Sequence, residues 1–305
     1  MASKKRSPAA ISAESGPQRK SGIGQGLARS GAQAGTDSGV SDGGHLGDEF
    51  RDPYSIFAEV YDEFMEHVPY AAWAHYLDRR YRALTRRTPR SVVDLACGTG
   101  QLLAHFPPGL QRSGMDGSRA MLERARRRLP DARLYHGRLE RSLKFADGSQ
   151  PHLVSTHDSL NYLLDPEDLS RHFAEVRRVL APDGIYSLDL VSLENILKNF
   201  DNQTLRHKVR GRGLVWKNEY DPKTRLMRSD LEFYDKGARK SDPPAHTERH
   251  LQRYYSIEEV RGLARRAGLE VVLIEGDYEP REHRPSDNFW NLHLRIETSG
   301  GRRAI

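Results

Sequence analysis

The segment richest in chemistry is Asp94-Leu95-Ala96-Cys97-Gly98-Thr99-Gly100. Gly98 and Gly100 follow an apolar run, and residues without a side chain let backbone N–H groups approach a ligand closely. Asp116 stands 22 positions after Asp94, with Gly117 and Ser118 behind it. An acid at that point, closing the next strand, can accept hydrogen bonds from both hydroxyls of a ribose. A dinucleotide fingerprint needs a third glycine three residues after Gly100, but Leu103 is there. The Gly-Lys-Ser/Thr of a phosphate loop is absent. The pattern therefore points to a nucleoside ligand with a ribose and no diphosphate. A second polar run, His157-Asp158-Ser159-Leu160-Asn161-Tyr162, follows another apolar stretch. Its residues belong where an open α/β sheet opens its ligand crevice, at the carboxyl ends of the strands. His157 is the first candidate general base there and Asp158 the second.

Strands and helices must alternate to carry these residues. Apolar runs over 91–95, 111–116, 132–136, 152–156 and 185–191 read as strands. Helical spacing covers 54–65, 70–86, 101–106, a stretch capped by Ser118, and one opened by Asp165-Pro166-Glu167. Ala181-Pro182-Asp183-Gly184 reads as a turn. After a helical stretch at 192–200 come strand-like runs at 214–220, 226–234 and 248–255, which read as an antiparallel insertion. Ser256-Ile257-Glu258-Glu259 is a capping box opening a helix that Gly268 stops, and strands at 269–275 and 292–297 complete the set. Units of this kind build a parallel sheet with helices on both faces.

Composition sets the outer limits. The chain has 305 residues with 37% apolar side chains, and the deficit is concentrated at the front. Residues 1–49 hold 10 of 26 glycines and no aromatic, so they are expected to be a disordered tail, with 50–305 the folded domain and 192–255 its β-rich insertion. No signal-peptide core and no membrane-length apolar run is present, which predicts a cytoplasmic location. Cys97 is the single cysteine, so no intrachain disulfide forms. The net charge is +6, with arginines clustered at 79–87 and 124–128. Basic helix faces with interspersed acids are usually plain surface, so nucleic acid ranks second to a small-molecule partner. His246 and His250 are four apart in an expected strand, too far for one ion, and no metal is expected. The oligomeric state is not legible.

The string Asp94 to Gly100 resembles motif I of class I S-adenosylmethionine-dependent methyltransferases. Met115-Asp116-Gly117-Ser118 with Met121, Leu122 and Ala125 resembles the second motif, and Val179 to Gly184 resembles the turn before strand five. Tyr61-Asp62 matches a Tyr-Asp pair near the family's start. The likeness is to bacterial small-molecule enzymes, including amino-sugar N-methyltransferases. It implies a Rossmann-like seven-stranded, mostly parallel sheet with a reversed last strand, and S-adenosylmethionine as cofactor. It also implies methyl transfer to a nitrogen or oxygen of a small acceptor. The implied cofactor contacts are Asp94, Ala96, Cys97, Gly98, Gly100, Asp116, Gly117, Ser118, Leu139, Glu140 and His157. After strand three the family usually has Gly-Asp. Here it is Gly137-Arg138, with Glu140 the substitute two positions on. Tyr61, Tyr70, Asn161, Tyr162 and Trp216 are the expected acceptor contacts. The Pro-Pro-Tyr common in nucleic-acid amino-methyltransferases is missing between Asp158 and Tyr162. The rivals are an RNA or protein methyltransferase and a non-catalytic binder of the same cofactor.

Overall fold

The computed structural model describes Tyr54 and residues 57–209, 211–239 and 241–297. The expected tail at 1–49 lies outside the described residues. Helices α1 (Phe57–Phe64) and α2 (Tyr70–Thr85) lead into β1 (Ser91–Leu95). Then come α3 (Gln101–Ala104), β2 (Gln111–Asp116), α4 (Arg119–Arg128), β3 (Arg133–His136) and β4 (Gln150–Ser155). After a one-turn helix at Ser159–Tyr162 follow α5 (Pro166–Val179) and β5 (Leu180–Val191). A short α6 (Leu193–Asn195) runs into a π-turn, Ile196–Phe200. The insertion strands are β6 (Thr204–Val209), β7 (Arg212–Asp221), β8 (Leu226–Tyr234) and β9 (His246–Arg253). The chain closes with α7 (Ile257–Arg266), β10 (Leu269–Gly276), β11 (Glu279–Glu282) and β12 (Phe289–Ile296).

The main sheet has eight strands in the order β11-β10-β12-β5-β4-β1-β2-β3. β3, β2, β1, β4 and β5 run parallel, while β12 is antiparallel to both neighbours, β5 and β10. Seven strands were expected; the eighth is β11, which hairpins onto β10 across a bulge at Glu275/Gly276. Its four residues are too polar and too short to register as an apolar run. The chain winds from β1 outward to β3, then returns to β4, so the switch point lies between β1 and β4. The expected turn at 181–184 is instead a bulge inside β5, where Gln150 pairs Leu180 and His152 pairs Ile185.

The helices start where side chains satisfy their free amides. Ser118 caps α4 through Met121 N, Asp165 caps α5 through Glu167 N, and Ser256 caps α7 through Glu259 N. α5 buries Leu169, Phe173, Val176 and Val179 at intervals of four and three, against one face of the sheet together with Val260 and Leu263 of α7. On the other face α2 buries Trp73, Tyr76 and Leu77 beside Leu102 and Leu103 of α3. Each such large side chain contributes roughly 1.5–3 kcal/mol by leaving water, so both faces clamp the strand ends rigidly.

The insertion is a four-stranded antiparallel sheet, β6-β7-β8-β9, one strand more than expected. β6 reads Thr-Leu-Arg-His-Lys-Val, and its three polar or charged neighbours mask the strand signal. Alternation puts Met227, Ser229, Leu231 and Phe233 of β8 on the buried face, with Glu248, His250 and Gln252 of β9 beside them. That face packs under α1.

Candidate active site

The loop after β1 is cinched to the end of β2. Ala96 N and Cys97 N both donate to the Met115 carbonyl, at 2.7 and 2.9 Å. Gly98 N and Ser118 N donate to the two oxygens of Asp116, each at 2.8 Å. Asp116 therefore holds two turns in register while keeping lone pairs for further donors. Gly98 has φ +52°, and a Cβ there would meet nothing within 4 Å, so that side of the turn is open. Gly100 is different. Its φ is +78° and a Cβ would come within 2.8 Å of Leu129 Cδ1. That glycine leaves room for the packing of α4 against the loop.

Other expected cofactor residues divide the same way. The Cys97 side chain is buried, packs toward Gly114, and is kept a thiol by burial. The Ser118 hydroxyl is spent on the α4 cap, so only its amide serves the loop. Asp94 is buried with its Oδ1 unpartnered among the described residues. Burial, then the charges of Asp116 and Asp189, push its pKa well up. Gly137 N donates to Asp116 O, and Arg138 pairs with Glu140 at 2.6 Å, which turns the guanidinium outward and keeps the Glu140 carboxylate nearly buried. Leu139 packs against the main core while its carbonyl meets His172 Nδ1.

Asp62 of α1 reaches the same loop. Its Oδ1 accepts from Thr99 Oγ1 at 2.6 Å and its Oδ2 from Arg128 at 2.7 Å. Arg128 also bonds the Thr99 carbonyl. The first helix is thus latched to the glycine loop. Thr99 and Arg128 were not singled out from the sequence, because a latch between residues 62, 99 and 128 has no local pattern.

The loop after β4 is unusual. His157 and Asp158 are consecutive non-glycine residues at φ 60° and 51°. Such a conformation costs on the order of 1 kcal/mol or more per residue. Asp189 of β5 compensates by accepting both amides, each at 2.7 Å, and the Tyr278 hydroxyl as well. With its oxygens taken by three donors, Asp189 is a loop anchor. Burial still raises its pKa to about 6. Burial, then Asp189, pushes Asp158 up to about 8, while Gln252 Nε2 donates to Asp158 Oδ2 at 2.8 Å. His157 is held near 4 by burial, so its ring is neutral at physiological pH. The ring lies between Tyr70 and Trp73, and its Nδ1 is unpartnered among the described residues.

Beyond this loop a cavity of 110 Å³ opens between α1, the π-turn and the inner face of the insertion. His157, Asp158, Tyr61, Tyr162 and Trp216 line it. Two expected acceptor contacts do not. Tyr70 is buried in the α2 core, packed on Trp73 and His157. Asn161 is fully buried and ties the Arg253 carbonyl to Val191 N. It is a brace between β9 and β5. In their place stand Tyr54, His250 and Gln252. Tyr54 OH meets Tyr162 OH at 2.6 Å, and Tyr162 OH meets His250 Nδ1 at 3.0 Å. Glu248 accepts Tyr54 N and Phe57 N, capping the start of α1 from across the cavity. The signal for Glu248, His250 and Gln252 was their period-two spacing on one strand, legible only once that face is known to be covered.

Of the arginine clusters, Arg80, Arg82, Arg87 and Arg128 pair with Glu275, Asp78, Asp183 and Asp62. No helix among the described residues is long and apolar enough to cross a membrane.

A glycine turn at a sheet switch point, an acid closing the next strand and a covered cavity beyond define a nucleoside-cofactor enzyme of the open α/β class. The comparisons agree. Residues 92–184 match a family model described as a methyltransferase domain. YqeM of Bacillus subtilis (strain 168), named provisionally as a methyltransferase, is 28% identical over 249 residues, covering 81% of this chain and 97% of its own. The dTDP-3-amino-3,4,6-trideoxy-alpha-D-glucopyranose N,N-dimethyltransferase of Streptomyces venezuelae is 38% identical over 138 residues, 42% of this chain and 54% of that one. The solved structure of DesVI from Streptomyces venezuelae superposes with a TM-score of 0.63 at 26% identity, covering 79% of this chain and 98% of DesVI. The chain is an S-adenosylmethionine-dependent methyltransferase with the Rossmann-like fold of that class.

The donor set fits that cofactor. Asp116 keeps lone pairs for ribose hydroxyls beyond the two amides it already accepts. The buried, unpartnered Asp94 oxygen lies among carboxylates, which suits a ligand carrying a sulfonium and an ammonium.

Proposed function

We propose that this enzyme methylates a small molecule, and that its acceptor enters the cavity between α1 and the insertion. One observation carries this reading. The cavity is walled on one side by the His157–Asp158 loop and covered on the others by α1 and β7–β9, leaving room for a compact ligand. Bound S-adenosylmethionine supplies an electrophilic methyl group on sulfur. Asp116 takes the ribose hydroxyls, the Gly98–Thr99 turn approaches the cofactor with its backbone, and Gly117, Leu139 and Glu140 border it. Tyr61, Tyr162 and Trp216 shape the acceptor and exclude water, which favours displacement by holding the nucleophile near the methyl. Residues 50–305 act as one domain, with 192–255 the insertion that makes the acceptor wall.

The RNA or protein alternative rests on the arginine clusters, and the ion pairs of Arg80, Arg82, Arg87 and Arg128 take part of that charge. The test is radiolabelled methyl transfer from S-adenosylmethionine to small-molecule extract, total RNA and lysate protein. Label in the small-molecule fraction is the expected result. Label confined to RNA or protein overturns the acceptor class. Binding without label in any fraction points to a non-catalytic role.

A further inference from the structure

The lining of the cavity has a chemical bias that selects among acceptors. Rings dominate it: Phe57, Phe64, Tyr61, Trp216 and Phe289 are among them. Asp158 is the one carboxylate in the wall, presented by the anchored loop and steadied by Gln252. No Lys or Arg lines the cavity among the described residues. Resting on the reading above, we propose that the acceptor is an amine carried on an aromatic or apolar body without phosphate or carboxylate, its nitrogen received by Asp158.

Charge decides the matter. A phosphate or carboxylate placed here gives up its hydration with no lysine or arginine to meet it, only the rings of His67, His157 and His250. An ammonium favours the ionised form of Asp158 and also meets several rings, an arrangement that attracts cations.

The step balances. The Asp158 carboxylate takes one proton from the ammonium, leaving a neutral amine with its lone pair. That pair forms the new N–C bond as the C–S bond breaks with its electrons remaining on sulfur. The products are the methylated ammonium and S-adenosylhomocysteine, and the Asp158 proton leaves to solvent. No oxidant, metal or further reactant is needed.

Three ligands with one phenyl ring and different charge separate the cases: phenethylamine, 2-phenylethanol and phenylacetate. Each is titrated by calorimetry into the full chain saturated with S-adenosylhomocysteine. The amine should bind roughly tenfold more tightly than the alcohol, and phenylacetate more weakly than either. In Asp158→Asn the gap between amine and alcohol should close. An amine that binds no better than the alcohol, an amine with no measurable binding, or a preference for phenylacetate overturns the proposal. The wild-type comparison stands alone should the variant not fold. Failure to bind S-adenosylhomocysteine itself sinks the methyltransferase reading and this inference with it, whereas cofactor binding without amine preference sinks only the inference.

Discussion

Asp116→Ala separates two roles that one carboxylate performs. In the protein without ligand, its oxygens accept Gly98 N and Ser118 N at 2.8 Å each. Charge-assisted bonds of this kind are worth about 1.5–3 kcal/mol each when dry. Asp116 is only half-buried, and the released amides can turn to water. The stability loss should therefore be about 1–2 kcal/mol. Cofactor affinity should fall further, because the ribose loses its acceptor and the loop must also be ordered on binding. Together these come to about 3–4 kcal/mol, or two to three orders of magnitude in Kd. Calorimetry with S-adenosylmethionine, alongside urea unfolding, reads both quantities. Ser118→Ala is the control. It removes the hydroxyl that accepts Met121 N at 3.3 Å, so it should cost about 1 kcal/mol of stability. Its amide to Asp116 remains, so affinity should hold within about twofold. Affinity within about threefold of wild type in Asp116→Ala, or an equal loss in Ser118→Ala, would refute the reasoning.

Gly98→Ala should strain the turn by about 1 kcal/mol and weaken cofactor binding with little loss of fold, whereas Gly100→Ala, aimed at Leu129 Cδ1, should destabilise by about 1–3 kcal/mol; paired unfolding and binding measurements check the contrast, and equal effects in both would contradict it. Asp158 has its pKa pushed from an ordinary 3.8 to about 8 by burial and Asp189, so it ionises in the unfolded chain before it does in the folded one. Stability should fall as pH rises from about 4 to about 8 on its account. Asp158→Asn should lack that loss, and the Tm gap over wild type should widen between those limits. Wild-type methyl transfer should rise with pH through about 8 as the base loses its proton; a profile flat there would argue against Asp158. Asp189→Asn leaves one of the two amides of residues 157 and 158 facing an NH2 group. Relief of a buried charge offsets part of the cost, so stability should move by less than about 2 kcal/mol while kcat/KM drops at least about tenfold. An unchanged kcat/KM would mean the loop does not depend on its anchor.

The strand, glycine turn and acid proposed for the nucleoside could be placed from the sequence because they are local. A strand, a glycine turn and an acid on the next strand end follow from chain order, and the parallel alternation forces them to one sheet edge. Capping by Ser118, Asp165 and Ser256 was legible for the same reason, each depending on residues two or three apart. The acceptor half was not. Asn161 and Tyr162 sit side by side in the same polar run, yet one braces β9 and the other lines the cavity. His157 and Asp158 were legible as polar residues at a strand end, but their left-handed backbone depends on Asp189, more than thirty residues away. Gly98 and Gly100 look equivalent in the string, and only the approach of Leu129 from α4 shows that one faces open space and the other a side chain. His250 and Gln252 line the cavity only because β9 lays its inner face against α1. Short-range spacing sets which residues a strand or helix presents at its end; what those residues meet is decided by packing between elements far apart in the chain, and that depends on tertiary contacts no local pattern encodes.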